Sequence, residues 1–294
     1  MKNKNFTCLS SFILKIIAIV TMTIDHIGVI LEMNVGYNYA LAIAFRYIGR
    51  LALPLFAFMI CEGVIHTKKI GNYLLRLGIM ATLVTGALIF IEYVPWFDGV
   101  SVRNEGNIFI DLLLGALAVY LLSRKEWYFK VLSIIPLGIS IVSYIVTSIE
   151  FGEGILIHWY PFFLRAQYHF YSVGMIILFY CAYLAKDLFL KQYSHNSGIP
   201  VESLKGTTLE RYALNLFSVF ALVIATLGFF FIALSIDYDY VFWEIEMQNI
   251  AMVSGAFILL YNGKRGYNAK WFQYGSYAYY PIHLIIIYAI GMLI

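Results

Sequence analysis

Charge is scarce in this sequence. Asp, Glu, Lys and Arg make up 13% of its 294 residues, about half the ~25% of an ordinary globular protein. Cysteine is scarce too: Cys8, Cys61 and Cys181 lie far apart, in or beside apolar runs. They have no metal-ligand spacing, and an odd count excludes a complete disulfide framework. There is no internal repeat and no low-complexity tract. These shortages exclude disorder, a charged coiled coil, a disulfide-stapled secreted domain and a basic nucleic-acid-binding module.

Apolar surface is what the chain has in abundance. Apolar residues reach 62%, against roughly 45–50% in soluble proteins, and a soluble protein of this length could not hide that much. The chain reads as an integral membrane protein. Period-2 alternation of barrel type is absent, so the spanning structure is helical. The expected fold is an all-α polytopic bundle embedded in the lipid bilayer of a cell membrane.

A helix needs about 20 mostly apolar residues to cross the hydrocarbon core. Candidate spans fall near 11–32, 43–66, 73–94, 108–123, 128–149, 170–186, 212–236, 243–262 and 271–294, about nine in all, two of them short. Lys2 and Lys4 before an apolar stretch resemble the start of a signal peptide. The run continues to Leu31 without a small-residue cleavage site, which fits an uncleaved first span. With the N-terminus in the cytoplasm, 16 of the 20 basic residues fall inside. Only Arg103 and Arg165 fall outside, while Asp237, Asp239, Glu244 and Glu246 cluster at an outer loop. That asymmetry predicts N-in, C-out. The chain 1–294 reads as one membrane-embedded domain, with six spans to about 186, a polar linker over 187–211 and three further spans.

Ionisable groups inside spans are costly and mark function by default. They are Lys15, Asp25 and His26 in the first span, Arg46, Arg50 and Glu62 in the second, and Glu92 in the third. Asp111 follows in the fourth, beside Asn107, then Gln248 and Asn249 in the eighth and His283 in the ninth. Lys15 and His26 are eleven residues apart, close to three helical turns, so they share one face about 16 Å apart along the axis. A basic anchor at the inner surface and a deep imidazole on that face would suit a long phosphate-bearing thioester. A snorkelling lysine and an unrelated packed histidine would give the same spacing. Arg46 and Arg50, at i and i+4, also share a face. They could clamp an anion or pair with Asp25, Asp111 or Glu92 to hold the bundle. Asp25, about 100° from His26, points at a different neighbour, more plausibly an arginine of span two. His66, His158, His169 and His195 map to loops and span ends. His26, Asp25, Asp111 and His283 contain no HxxxH-type pair, so no metal is expected. Aromatics recur near span ends, at 93–96, 127–129, 159–163 and 271–274, as an interfacial belt rather than a stacking platform for bases, and nothing supports nucleic acid as a partner.

Four segments together resemble the TraX family. They are Leu14–Ile19 running to Asp25-His26-Ile27-Gly28, Arg46–Arg50 leading through Pro54–Phe58 to Glu62-Gly63, Asn107–Gly115, and Tyr277–Leu284. That family is known for a membrane protein needed to acetylate conjugative pilin, and it is grouped with membrane acyltransferases that use acyl-coenzyme A. Members of the superfamily carry a basic residue, ten intervening residues and a histidine in the first span, a pattern that Lys15 and His26 fit. The superfamily's paired basic residues resemble Arg46 and Arg50, although the spacing here is four rather than three. The resemblance implies an acyl-CoA donor, most simply acetyl-CoA, with His26 as general base or transient acyl carrier. Asp25 and His283 join it as catalytic candidates, His283 to orient or protonate the acceptor. It implies donor binding by Lys15, Arg46 and Arg50. Glu62, Asn107, Asp111 and Asn249 remain further polar candidates. The acceptor would be a pilin-like protein amine, or a glycan or lipid hydroxyl of the envelope. A proton-coupled transporter and a non-catalytic assembly factor for pili or envelope are the rival readings.

Overall fold

The structure is a computed structural model that describes residues 7–33, 38–93, 106–155, 157–236 and 246–291. Glu92, Arg103, Asp237, Asp239 and Glu244 have side chains outside the described residues. Among the described residues the fold is all-helical, with no strand and one isolated parallel bridge between Leu9 and Tyr261. The helices are α1 (Ser11–Met33), α2 (Tyr39–Gly49), α3 (Ala52–His66), α4 (Ile70–Tyr93), α5 (Ile108–Leu122) and α6 (Trp127–Leu132). They continue as α7 (Ile134–Glu153), α8 (His169–Ser197), α9 (Val201–Leu204), α10 (Thr208–Ile236), α11 (Ser254–Leu259) and α12 (Lys270–Gly291).

Among the described residues six stretches are long and apolar enough to cross a membrane: Ser11–Glu32, Tyr39–His66, Ile70–Phe90, Trp127–Glu150, Phe162–Ser197 and Thr208–Ser235. Leu75, Leu83, Leu188 and Ile285 stay more than half exposed, a burden in water and a fitting surface for lipid. The other three expected spans depart from that length or composition for distinct reasons. The fourth is α5, whose 15 residues rise about 22 Å against a core of about 30 Å. The eighth is broken: a 3-10 turn, Asn249–Val253, precedes the six-residue α11. The ninth is α12, whose first half carries Gln273, Tyr274, Ser276, Tyr277, Tyr279 and Tyr280 and is correspondingly less apolar. The polar linker also starts later than expected, because α8 keeps its helical bonding through Ser197.

The chain divides into two compact units, residues 1–59 with 178–294, and residues 60–177. In the first unit α1 lies against α2 at close range. A Cβ on Gly49 would stand 2.1 Å from the Cβ of Asp25, so only glycine permits the approach. Helix α2 stops at Gly49 and α3 starts at Ala52, and the carbonyl of Leu51 in the break accepts a 3.0 Å hydrogen bond from Ser254 Oγ. A backbone break in a membrane protein needs such a partner. Edge-to-face rings of Phe58, Phe179 and Tyr261 pack behind it, with centroids 5.4–5.5 Å apart.

Helices α1 and α12 run parallel. Phe12 packs on Phe272, Thr23 bonds Tyr279 and His26 meets His283, in the same order along both helices. In the second unit α4, α5, α7 and the start of α8 bury Leu77, Val119, Met175 and Ile176.

Candidate functional site

The parallel register of α1 and α12 brings two expected site residues together. His283 Nε2 and His26 Nδ1 are 2.9 Å apart. His283 Nδ1 lies 2.8 Å from the carbonyl oxygen of Tyr279, one turn earlier in its own helix. A carbonyl only accepts, so Nδ1 of His283 carries a hydrogen. When His283 is neutral, its Nε2 is an acceptor, and the hydrogen between the rings belongs to Nδ1 of His26. The Nε2 of His26 is then a lone pair with no hydrogen-bond partner among the described residues. Two imidazoles bonded in this way present one base.

The pair is held on several sides. The Tyr279 ring stacks on His283, with centroids 4.9 Å apart and planes 5° from parallel. Its hydroxyl lies 2.7 Å from Thr23 Oγ1. Thr23 already donates to the carbonyl of Ile19 at 2.8 Å, so its single hydrogen is spent and Tyr279 must donate to it. Tyr280 presents an edge to both imidazoles. Pro281 offers no N–H to the preceding turn, which loosens α12 just before His283. Among these residues His283 is almost fully buried and His26 is half-buried.

Asp25 turns from the imidazoles to α2. Its Oδ1 accepts from Arg46 Nη1 at 3.0 Å, and Arg46 Nε lies 3.8 Å from Glu32 Oε2. Arg50, also buried, caps the end of α2 through its backbone N–H. Lys15 is half-buried three turns before His26. Its ammonium sits 5.7 Å from the centre of the Phe272 ring, and no carboxylate is paired with it among the described residues. Asn249 opens the 3-10 turn before α11, and its Oδ1 is buried with no hydrogen-bond partner among the described residues.

The remaining polar candidates have structural surroundings within residues 60–177. Asp111 is fully buried and accepts from the N–H groups of Gln167 and Tyr168 at 2.6 and 3.0 Å, and from Ser172 Oγ at 2.5 Å. It caps the start of α8 from another helix, where a negative charge meets the positive end of the helix dipole. Asn107 caps α5 through Phe109 N–H and donates to the Ala81 carbonyl and to Thr85 Oγ1. Glu62 lies 3.7 Å from His66 on the next turn of α3.

Sequence reasoning misses three features. Arg165 forms a two-point ion pair with Glu150, both nearly inaccessible. Their 15-residue separation crosses a loop, so no helical spacing announces it. His169 adopts a left-handed backbone, φ 52°, with Nδ1 3.1 Å from Ser143 Oγ. Lys186 is gripped by Glu210 at 2.9 Å and Asp187 at 2.7 Å. Among the described residues no three His, Cys, Asp or Glu side chains are placed to hold a metal ion.

Comparison with known proteins bears on which of these features to weigh. The sequence profile described as TraX protein matches residues 10–191, more than half of the chain. A curated relative from Dichelobacter nodosus, named probable fimbrial assembly protein FimC, serogroup H1, is 30% identical over 119 residues. The matched stretch covers 40% of this chain and 48% of that relative, so the likeness spans about half of the curated protein's length. No solved structure matches.

Proposed function

The chain belongs to the TraX family, and from that membership we propose that it is a membrane-embedded acyltransferase. It transfers an acyl group, most simply acetyl from acetyl-CoA, to an acceptor at or across the membrane. The observation that carries the proposal is the His26–His283 pair, three turns from an ammonium that has no paired carboxylate among the described residues. A base and an anion anchor on one helix face are the two groups that thioester transfer from a phosphate-bearing donor requires.

In the proposed reaction, Nε2 of His26 takes the proton from the acceptor hydroxyl or amine as that atom attacks the thioester carbonyl. The bond from acceptor to acyl carbon forms, the C–S bond breaks, and the leaving thiolate receives the proton from His26. Arg46, steadied by Asp25, and Arg50 supply positive charge on the α1–α2 side for the developing oxyanion. Lys15 holds donor phosphates at the far end of α1. No metal takes part in these steps. The acceptor is a pilin-like protein, or a glycan or lipid of the envelope. The relative's name, a fimbrial assembly protein, favours the first class.

The parallel pairing of α1 with α12 supports an odd number of crossings from one to the other, and nine, with the N-terminal side of α1 in the cytoplasm, is the count and orientation we propose. Two parallel spans require an odd total counted from one to the other, and α5 and residues 246–260 would supply the two short crossings. Cysteine labelling at position 195 from the cytoplasmic side only would agree with it, and labelling from outside would reject it.

The name of the relative also favours a second reading, a non-catalytic assembly factor. Incubating membranes containing the protein with radiolabelled acetyl-CoA decides between the two. Label transferred to a protein, glycan or lipid supports the transferase. Absence of transfer and of thioester hydrolysis in the presence of cell envelope rejects it.

A further inference from the structure

A tight turn precedes α12: Gly263-Lys264-Arg265-Gly266. Both glycines take left-handed backbone conformations, φ 73° and 70°, which side-chain-bearing residues adopt only with strain. Both also meet close neighbours. A Cβ on Gly266 would stand 2.4 Å from Ser10 Oγ, and one on Gly263 would stand 2.4–2.7 Å from the Arg211 guanidinium. The turn is therefore built to lie against the start of α1. Its backbone is spent there, since the carbonyls of Lys264 and Arg265 accept from the N–H groups of Ser11 and Phe12 at 2.9 and 3.0 Å. The side chains of Lys264 and Arg265 are left exposed. Among the described residues neither makes an ion pair.

Two further observations converge on this turn. Lys15, one turn along α1 from Phe12, places its ammonium over Phe272 with no paired carboxylate among the described residues. A half-buried ammonium without an anion is costly unless a ligand completes it. Phe12 also packs against Tyr267 and Phe272, with centroids 5.4 and 4.8 Å apart. Next to them Tyr267 and Trp271 are 51% and 69% exposed, and the indole N–H donates to the Tyr267 hydroxyl at 2.8 Å. That bond steadies two open ring faces beside three cationic groups. Phosphate oxygens suit the cations. Trp271 reads from sequence alone as part of the interfacial belt, but its bond to Tyr267 beside three cations gives these exposed rings a second use, since a nucleobase suits exposed aromatic faces.

We propose that the Gly263–Gly266 turn, with Lys15, Tyr267 and Trp271, is a binding subsite for a phosphorylated nucleotide, the end of the acyl donor remote from its thioester. The proposal rests on the transferase reading and extends it. Phe272 and His283 are eleven residues apart on α12, as Lys15 and His26 are on α1. The subsite and the imidazole pair therefore lie at two levels of one pair of parallel helices, about 16 Å apart. A donor that spans them carries its charge at one end and its reactive carbon at the other.

The test is equilibrium binding of coenzyme A and of pantetheine, which lacks the nucleotide, to full-length protein in phosphatidylcholine nanodiscs. Wild type, a Lys264→Gln/Arg265→Gln double variant and His26→Gln are compared. The double variant should bind coenzyme A about ten- to a hundredfold more weakly, as expected for lost charge-assisted contacts, and bind pantetheine as wild type does. His26→Gln should bind coenzyme A normally. Equal coenzyme A affinity in wild type and the double variant would overturn the subsite and leave the transferase reading standing. Absence of coenzyme A binding by wild type would overturn the transferase reading itself, and the subsite with it. If the two proteins differ only in nanodiscs containing phosphatidylglycerol, the turn reads lipid headgroups and the nucleotide assignment is wrong.

Discussion

Two groups of buried polar side chains in this molecule obey opposite rules. Within residues 60–177 the buried Glu150, Arg165 and Asp111 each meet partners of the same unit. Glu150 and Arg165 face each other at two points, and Glu150 also accepts from the Ile157 N–H. Asp111 takes three donors. Such pairing is how a bundle makes buried charge tolerable. The pair on α1 and α12 is built otherwise. His283 is committed at both nitrogens, which leaves Nε2 of His26 without a partner among the described residues. Lys15 has a ring but, among the described residues, no carboxylate. Surplus capacity, not burial alone, distinguishes a group that can do chemistry from one that holds the fold.

The largest expected effect comes from His26→Gln. Removing a positioned base costs about 10² to 10⁴ in rate, or about 3–5 kcal/mol of barrier. The fold should be unaffected, because Gln retains a donor for His283. Turnover of labelled acetyl-CoA, read beside thermal unfolding in detergent, measures both. A large drop in unfolding temperature with this variant would move His26 to the class of Glu150 and Asp111 and dissolve the comparison.

Arg165→Leu should act in the opposite sense. It strands Glu150 as an unpaired buried carboxylate and should destabilise the protein by about 3–5 kcal/mol. Adding Glu150→Leu should recover most of that loss, since removing both charges also removes the desolvation cost. Denaturant titration of the single and double variants tests this. A double variant no more stable than the single would show that the pair does more than neutralise itself.

The membrane class and the all-helical fold were legible because hydrophobic runs are local along the chain. The common face of Lys15 and His26 follows from helical period alone. What the sequence could not supply is contact between distant segments. His26 and His283 are 257 residues apart, and only the parallel register of α1 and α12 brings them to 2.9 Å. Asp25, one residue from His26, shows the reach of local geometry: the 100° step turns it from the imidazoles toward Arg46. Asp111 shows its limit. A carboxylate in an apolar run reads as a functional group, yet its partners are backbone N–H groups 56 and 57 residues away, which residue type cannot reveal. The broken eighth span escapes for a similar reason. Its apolar composition matches a continuous helix, and the 3-10 turn and the bond from Ser254 to Leu51 depend on packing.

The smallest expected effect sharpens the comparison most, because it removes one hydroxyl from each region. Ser172→Ala deletes a 2.5 Å donor to the fully buried Asp111 carboxylate, and a bond to a charged group is worth about 1.5–3 kcal/mol. Its effect should be confined to stability. Thr23→Val deletes the acceptor for the Tyr279 hydroxyl, a neutral bond worth about 0.5–1.5 kcal/mol. Tyr279 is only half-buried, so its hydroxyl can find another partner. The same tyrosine, however, stacks on His283 and accepts its Nδ1 hydrogen through the backbone carbonyl. Releasing the ring should let His283 reorient and weaken its hold on the tautomer of His26. Thr23→Val should therefore lower turnover by more than its stability loss accounts for, while donor affinity stays unchanged. Ser172→Ala should lose stability and keep the specific activity of its folded fraction. Measuring turnover per folded molecule for both variants decides the matter, and equal behaviour of the two would mean that the imidazole pair is packed scaffold.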